Sequence, residues 1–210
     1  MKETYIEIAH QIGKGWDTLS KYIQRSVNAI SHLLTTLELH FSNDIICNQT
    51  SEEILQSSRF NIINDLTTRI KNLSSELHNY VSQFFKEHFS NLEKTIKWIN
   101  DEYSTFNHYN SDKDSKITSI KRVQVLNNSL KLCTLIKSNY DFILNFTCII
   151  ADNIDEFVLQ KLIDSNKKYP NKSSTLFDNK ILDEIRKIEN FNCYNCRTEL
   201  EVISNYLEKN

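Results

Sequence analysis

Hydrophobic residues recur at steps of three and four along the first part of the chain, with polar residues between them. The mean step is about 3.6 residues, the period of an α-helix. Ala29 and Leu33 widen the stripe, as expected for a helix that packs against more than one neighbour. The spacing therefore predicts one long helix, whose stripe consists of Ile12, Trp16, Leu19, Ile23, Val27, Ile30, Leu34, Leu37 and Phe41.

A second stripe of the same period predicts a longer helix. Thr50 or Ser51 is a candidate N-cap, with Glu53 placed to complete a capping box with Thr50. From about Ile54 the pattern continues for more than fifty residues without a helix breaker, roughly 80 Å at 1.5 Å per residue. Its apolar positions are Leu66, Ile70, Leu73, Leu77, Tyr80, Phe84, His88, Leu92, Ile96, Ile99, Tyr103 and Phe106.

Two further helices follow. The polar stretch "NHYNSDKDS" (107–115) separates the second helix from a third, which Asp114 or Ser115 can cap and which ends before Pro170. The third stripe runs through Ile117, Ile120, Val123, Leu126, Leu130, Cys133, Ile136, Tyr140, Ile143, Ile150, Ile154, Phe157 and Leu162. A shorter fourth helix has Leu176, Ile181, Ile185, Ile188, Ile203 and Leu207 on its apolar side.

The pattern as a whole predicts an all-α fold, an elongated bundle of three long helices plus a shorter C-terminal helix. No linker or repeat divides the chain, so we expect a single domain over residues 1–210. Helices this long leave much of their apolar surface uncovered in a monomer, which predicts an antiparallel homodimer. A parallel two-stranded coiled coil is the less favoured alternative, because the stripes are wider than a strict heptad seam.

Composition supports this architecture and narrows the function. The chain has Gly 2 and Pro 1, so few residues favour tight turns. A net charge of −2 argues against nucleic-acid binding, which usually requires a basic excess. The N-terminus lacks the apolar core of a secretory signal, and no run is apolar enough to span a bilayer. We therefore expect a cytoplasmic protein, with Cys133 and Cys148 as buried thiols in a reducing compartment.

Candidate chemistry is sparse. "CYNC" (Cys193–Cys196) lacks the further ligands of a structural zinc site and the preceding strand of a redox motif. A zinc site shared across a dimer remains an alternative. Neither a phosphate-binding loop nor a nucleophile motif is present, and the pattern predicts His88, Trp16 and Trp98 as core residues, with membrane insertion of the tryptophans as the alternative. We predict no enzymatic activity and no cofactor.

Two segments resemble a known family. "GWDTLSKYIQ" (15–24) resembles the start of the first long helix of F-BAR domains, and "LHNYVSQFFKEHFSNLEKTIKWINDEY" (77–103) looks like the second-helix region that runs toward the wing tip. The resemblance implies a BAR-like homodimer that binds anionic phospholipid membranes as a peripheral protein and senses or shapes their curvature. Cytoskeletal or trafficking proteins would be further partners.

The resemblance also implies basic residues that face lipid headgroups, each worth about 1 kcal/mol near a charged leaflet. The candidates lie off the apolar stripes, although such residues also occur on ordinary solvated helix faces. The alternative function is an interaction or structural subunit of a cytosolic tethering or cytoskeletal complex that does not bind lipid. The predicted membrane-binding residues are Lys113, Lys116, Lys121, Arg122, Lys131, Lys161, Lys167, Lys168 and Lys172.

Overall fold

Most of the part of the chain that the structure describes is helical. The computed structural model describes residues 2–42, 52–109, 116–165, 183, 187–188 and 190–209. Helix α1 spans Lys2–Ser42, α2 spans Glu52–Tyr109, α3 spans Lys116–Ser165 and α4 spans Arg197–Leu207. These ranges contain no strand. The predicted all-α fold with three long helices and a shorter C-terminal helix is therefore confirmed, while the homodimer stays a prediction. Residues 190–196 are not helical, so the prediction that Ile188 shares one helix with Ile203 and Leu207 is wrong.

The helix boundaries follow the polar breaks of the sequence. Helices α2 and α3 begin at Glu52 and Lys116, directly after the predicted caps. The caps themselves, as well as Pro170, lie outside the described residues. Within the described part no residue has a positive φ and no peptide bond is cis. Such a regular backbone is expected where glycine and proline are almost absent.

The chain divides into two compact units, and each long helix contributes a segment to both. Unit 1 consists of Met1–Tyr22, Val81–Phe142 and Cys193–Asn210. Its α1 and α2 segments are antiparallel, because Tyr5 stacks on Trp98 with ring centroids 5.2 Å apart while Trp16 contacts Phe84. The α3 segment is antiparallel to α2 as well, and α4 packs against α1 and α3.

Unit 2 consists of Ile23–Tyr80 and Ile143–Asn192. Helices α1 and α2 are antiparallel here, since Arg59 donates a hydrogen bond to the His40 carbonyl oxygen while Ala29, earlier in α1, lies beside Leu73, later in α2. Between α2 and α3, His78 Nδ1 lies 3.0 Å from Thr147 Oγ1, and Lys71 pairs with Asp155. Each of these contacts joins one helix of the unit to the next.

Both units have cores of aliphatic and aromatic side chains. Trp16 is fully buried as predicted, whereas Trp98 is half-buried. Three predictions of burial are wrong. Tyr80 is 56% exposed and Ile120 is 65% exposed, and Cys148 is exposed. At Tyr80 and Cys148 the buried stripe passes through the neighbouring residue instead, Val81 in α2 and Thr147 in α3.

Candidate functional site

The predicted membrane-binding residues fall into three groups. Unit 1 contains Lys116, at the start of α3, and Lys121, Arg122 and Lys131. Unit 2 contains Lys161. The remaining candidates, Lys113, Lys167, Lys168 and Lys172, lie outside the described residues.

Several of these basic groups interact within the chain. Arg122 Nη2 lies 3.1 Å from Glu102 Oε2 and joins α3 to α2. Lys131 Nζ lies 2.5 Å from Glu199 Oε1 and joins α3 to α4. The Lys161 ammonium lies 5.5 Å from the centroid of the Phe157 ring, a distance typical of a cation–π contact. Lys121 is exposed. The predicted residues are therefore partly engaged in the protein's own packing.

The "CYNC" motif lies in the C-terminal segment of unit 1, which packs on the α1 and α3 segments of that unit. We call residues 193–207 the C-terminal clasp. Trp16 Nε1 donates a hydrogen bond to the Tyr194 carbonyl oxygen at 3.1 Å, and the Tyr194 N–H donates to Asn139 Oδ1 at 2.9 Å. The Cys196 thiol donates to the Gly13 carbonyl oxygen at 3.3 Å. These bonds attach the clasp to α1 and α3.

A buried carboxylate reinforces the clasp. Glu199 is only 3% exposed. Burial alone would raise the pKa of its carboxyl group, but the Lys131 ammonium and the nearby Tyr194 hydroxyl lower it more, so the net pKa lies below the ordinary value. The Tyr194 hydroxyl is buried and makes no hydrogen bond of standard geometry with a described residue.

The surroundings of the thiols in unit 1 disfavour the thiolate form. Burial raises the pKa of Cys133 to about 12. Burial and the neighbouring Cys196 raise the pKa of Cys193 to about 12, and burial raises that of Cys196 to about 11. Thiols are nucleophiles and metal ligands only when deprotonated. Among the described residues no group of three or more His, Cys, Asp or Glu side chains is arranged to hold a metal ion. A zinc site across a dimer stays a prediction.

Unit 2 contains an open groove between α1 and α2. Its volume is about 460 Å³, and it is lined by Ala29, His32, Leu33, Arg69, Asn72 and Leu73. The small side chain of Ala29 leaves room between the helices. Leu33 and Leu73, both half-buried, supply apolar walls. An apolar groove between two helices is the form of site that accepts an amphipathic helix.

Exposed apolar side chains extend this surface along both helices. Ile62 precedes Arg69 by seven residues, and Tyr80 follows Leu73 by seven, so all four lie on one face of α2. Leu39 has the same relation to His32 on α1. Ile62 is 44% exposed, Tyr80 56% and Leu39 55%. We call the groove residues together with Leu39, Ile62 and Tyr80 the α1/α2 surface.

The two edges of the α1/α2 surface carry different charges. Arg25 and His32, seven residues apart, are exposed along the α1 edge. On α2, Arg69 Nε lies 2.9 Å from Asp65 Oδ2, and Glu76 is exposed beyond them. The α1 edge is therefore basic at Arg25, whereas the α2 edge carries both signs. Sequence reasoning missed this surface because the stripe pattern placed Tyr80 and Leu73 together in the core.

Comparison with known proteins adds no relative. The chain matches no protein-family model, no curated protein and no solved structure. None of the helices in the described ranges is long and apolar enough to cross a membrane.

Proposed function

We propose that this protein is a non-catalytic helical scaffold that binds another protein through the α1/α2 surface of unit 2. The observation that carries the proposal is the exposure of Leu39, Ile62 and Tyr80 in line with the apolar groove. Contiguous exposed apolar surface with a polar rim commonly marks a protein interaction site. This function is the interaction-subunit alternative of the sequence analysis.

Site-specific photo-cross-linking tests this function. A photoreactive amino acid replaces Ile62 or Tyr80 in the full chain, and Ser90, an exposed polar residue of α2, serves as the control position. In extract of the source cells we expect the same polypeptide to be captured from both Ile62 and Tyr80 and not from Ser90. Equal capture from all three positions, or capture from none, would contradict the proposal.

Binding to anionic membranes is the second candidate, supported by a different place in the molecule. Ile120, 65% exposed, adjoins the exposed Lys121 at the start of α3 in unit 1. An apolar side chain beside a cation suits the boundary between headgroups and acyl chains. In this function the chain is a cytoplasmic, peripheral membrane homodimer whose basic residues contact lipid.

Liposome co-sedimentation tests the membrane function. We expect the protein to pellet with phosphatidylserine-rich vesicles at low salt, and to stay in the supernatant with neutral vesicles or at high salt. Lys121→Glu should abolish pelleting. Lys97→Glu, which reverses the charge of an exposed residue on α2, should not. Protein that remains in the supernatant under all conditions would eliminate lipid binding.

A further inference from the structure

We infer that the α1/α2 surface accepts a single amphipathic helix of about 18 residues from a partner protein, with an acidic edge along α1. This inference rests on the proposed docking function and adds the shape and charge of the partner. Three observations support it. They are the length of the α1/α2 surface, the basic residue on its α1 edge and the way in which α4 packs on unit 1.

The length of the partner helix follows from the α1/α2 surface. Ile62 and Tyr80 mark its two ends on α2, and helical rise places them about 27 Å apart. A helix of about 18 residues spans that distance. It would present apolar residues at spacings of three and four toward Leu33 and Leu73, the walls of the groove.

The charge of the partner helix follows from the charged residues along the two edges of the α1/α2 surface. On the α1 edge the basic Arg25 is followed by His32, and the side chains of both are exposed. On the α2 edge Arg69 is already paired with Asp65. An acidic row on the partner helix would therefore gain most by lying along α1, where it meets Arg25. Complementary charge of this kind fixes the orientation of a helix more than its affinity.

The clasp shows how such a helix packs on this protein. In unit 1 the short helix α4 packs against α1, where Leu200 reaches Gly13, and its Glu199 pairs with Lys131 on α3. In α4, apolar packing, which also buries Ile203, is combined with one acidic residue that faces a cation, and the hydrogen bonds of the clasp hold the segment before it. The α1/α2 surface of unit 2 offers the same two elements, an apolar groove and a basic edge.

A designed peptide serves as the probe. It has 18 residues, leucine at helical spacings of three and four, glutamate along one edge and glutamine along the other, roughly the length derived above. A scrambled peptide of the same composition is the control. Fluorescence anisotropy with the full-length chain measures Kd, and we expect binding of the designed peptide only.

Matched variants locate the binding site. Ile62→Ser and Tyr80→Ser should each weaken binding about tenfold, as for buried contacts of an interface. Leu159→Ser, which changes a side chain 59% exposed on α3, should leave Kd unchanged. Arg25→Glu should weaken binding and reduce its salt dependence, while Lys97→Glu should do neither.

Each outcome separates the inference from the proposed function. Equal affinity for the designed and scrambled peptides, or equal weakening by Ile62→Ser and Leu159→Ser, would overturn the inference. So would a homodimer in sedimentation that Ile62→Ser converts to a monomer, because the surface would then bind a second copy. If cross-linking captures a partner but the designed peptide does not bind, the docking function is supported and the inferred chemistry of the partner is wrong. If neither experiment detects binding, the docking function is wrong as well.

Discussion

Small and polar residues decide how closely the helices approach one another. The only two glycines in the sequence, Gly13 and Gly15, both lie in α1 within unit 1. A Cβ on Gly13 would lie 2.7 Å from methyl carbons of both Leu132 and Leu200, so this glycine permits α3 and α4 to pack against α1. Among the buried hydroxyls, that of Thr67 donates to the Ile63 carbonyl oxygen of its own helix at 2.7 Å, whereas those of Ser74, Thr95 and Ser129 have no hydrogen-bond partner among the described residues.

We expect Gly13→Ala to lower the free energy of unfolding by about 1–2 kcal/mol. Overpacking costs about 1–3 kcal/mol, and the higher helix propensity of alanine offsets up to about 1 kcal/mol of it. Gly15→Ala is the matched control, since its Cβ would crowd only the Phe84 ring, at 2.9 Å; its effect should be smaller. Urea unfolding measures both, and a Gly13→Ala protein as stable as the parent would refute this account.

At the scale of the element, the buried stripe of α2 shifts by one residue where the sequence is ambiguous. The apolar pattern continues from Leu77 through Tyr80 and Phe84, but the core instead contains Val81 and Phe85. Both series have helical spacing, because apolar residues occur side by side at 80–81 and 84–85. In the folded protein the Phe85 ring stacks on Tyr140 of α3, and this contact favours the burial of Phe85.

This shift predicts opposite outcomes for two aromatic truncations. Phe85→Ala should lower the free energy of unfolding by about 3–5 kcal/mol, because the side chain is buried and leaves a cavity. Tyr80→Ala should change it by no more than about 0.5 kcal/mol, as is usual for an exposed position. Chemical unfolding followed by circular dichroism distinguishes the two, and similar losses for both, or a larger loss for Tyr80→Ala, would contradict the burial of Phe85 in place of Tyr80.

The ion pair of α4 makes the clasp sensitive to acid. The pKa of Glu199 lies below its ordinary value in the folded protein, so its carboxylate stabilises the fold above the unfolded-state pKa. That contribution is lost as the pH falls through the folded-state pKa. We expect Glu199→Gln to flatten this acid-side loss of stability, measured as urea midpoints between about pH 3 and about pH 7.

Removal of the cation should act on the same carboxylate. In Lys131→Met the burial of Glu199 would no longer be offset by the ammonium, so the folded-state pKa of Glu199 should rise. The protein should then be less stable near neutral pH, and the acid-side loss of stability due to Glu199 should shrink. Lys121→Met, which changes an exposed residue on the same helix, is the control and should leave the profile unchanged. Identical profiles for both variants would show that the ion pair does not stabilise the clasp.

At the scale of the whole molecule, the same three long helices build two compact units, and only unit 1 contains α4. The accessibility of the described thiols differs between the two units. Cys133, Cys193 and Cys196 are buried in unit 1, and Cys148 is exposed on α3 in unit 2. Reaction of a buried thiol therefore requires unit 1 to open, whereas Cys148 can react in the folded protein.

We expect alkylation under native conditions to modify Cys148 rapidly and the three buried thiols much more slowly. Their raised pKa values keep them protonated, and the packing excludes the reagent. Peptide mass spectrometry after timed iodoacetamide treatment measures each site, and the slow sites should all accelerate in urea as unit 1 unfolds. Rapid labelling of Cys193 and Cys196 in the absence of urea would show that the clasp is open in solution.

The sequence by itself determined the helices. Apolar residues at a period near 3.6, interrupted only at polar stretches, predict the three long helices and where α2 and α3 begin, because helical hydrogen bonding and one-sided burial depend on residues close together in the chain. Which apolar side chains are buried, such as Phe85 and not Tyr80, was decided only by the tertiary structure. So were the contacts of Trp16 with the clasp and the exposure of Cys148. These features depend on residues far apart in the chain, and helical spacing carries no information about which neighbour each face meets.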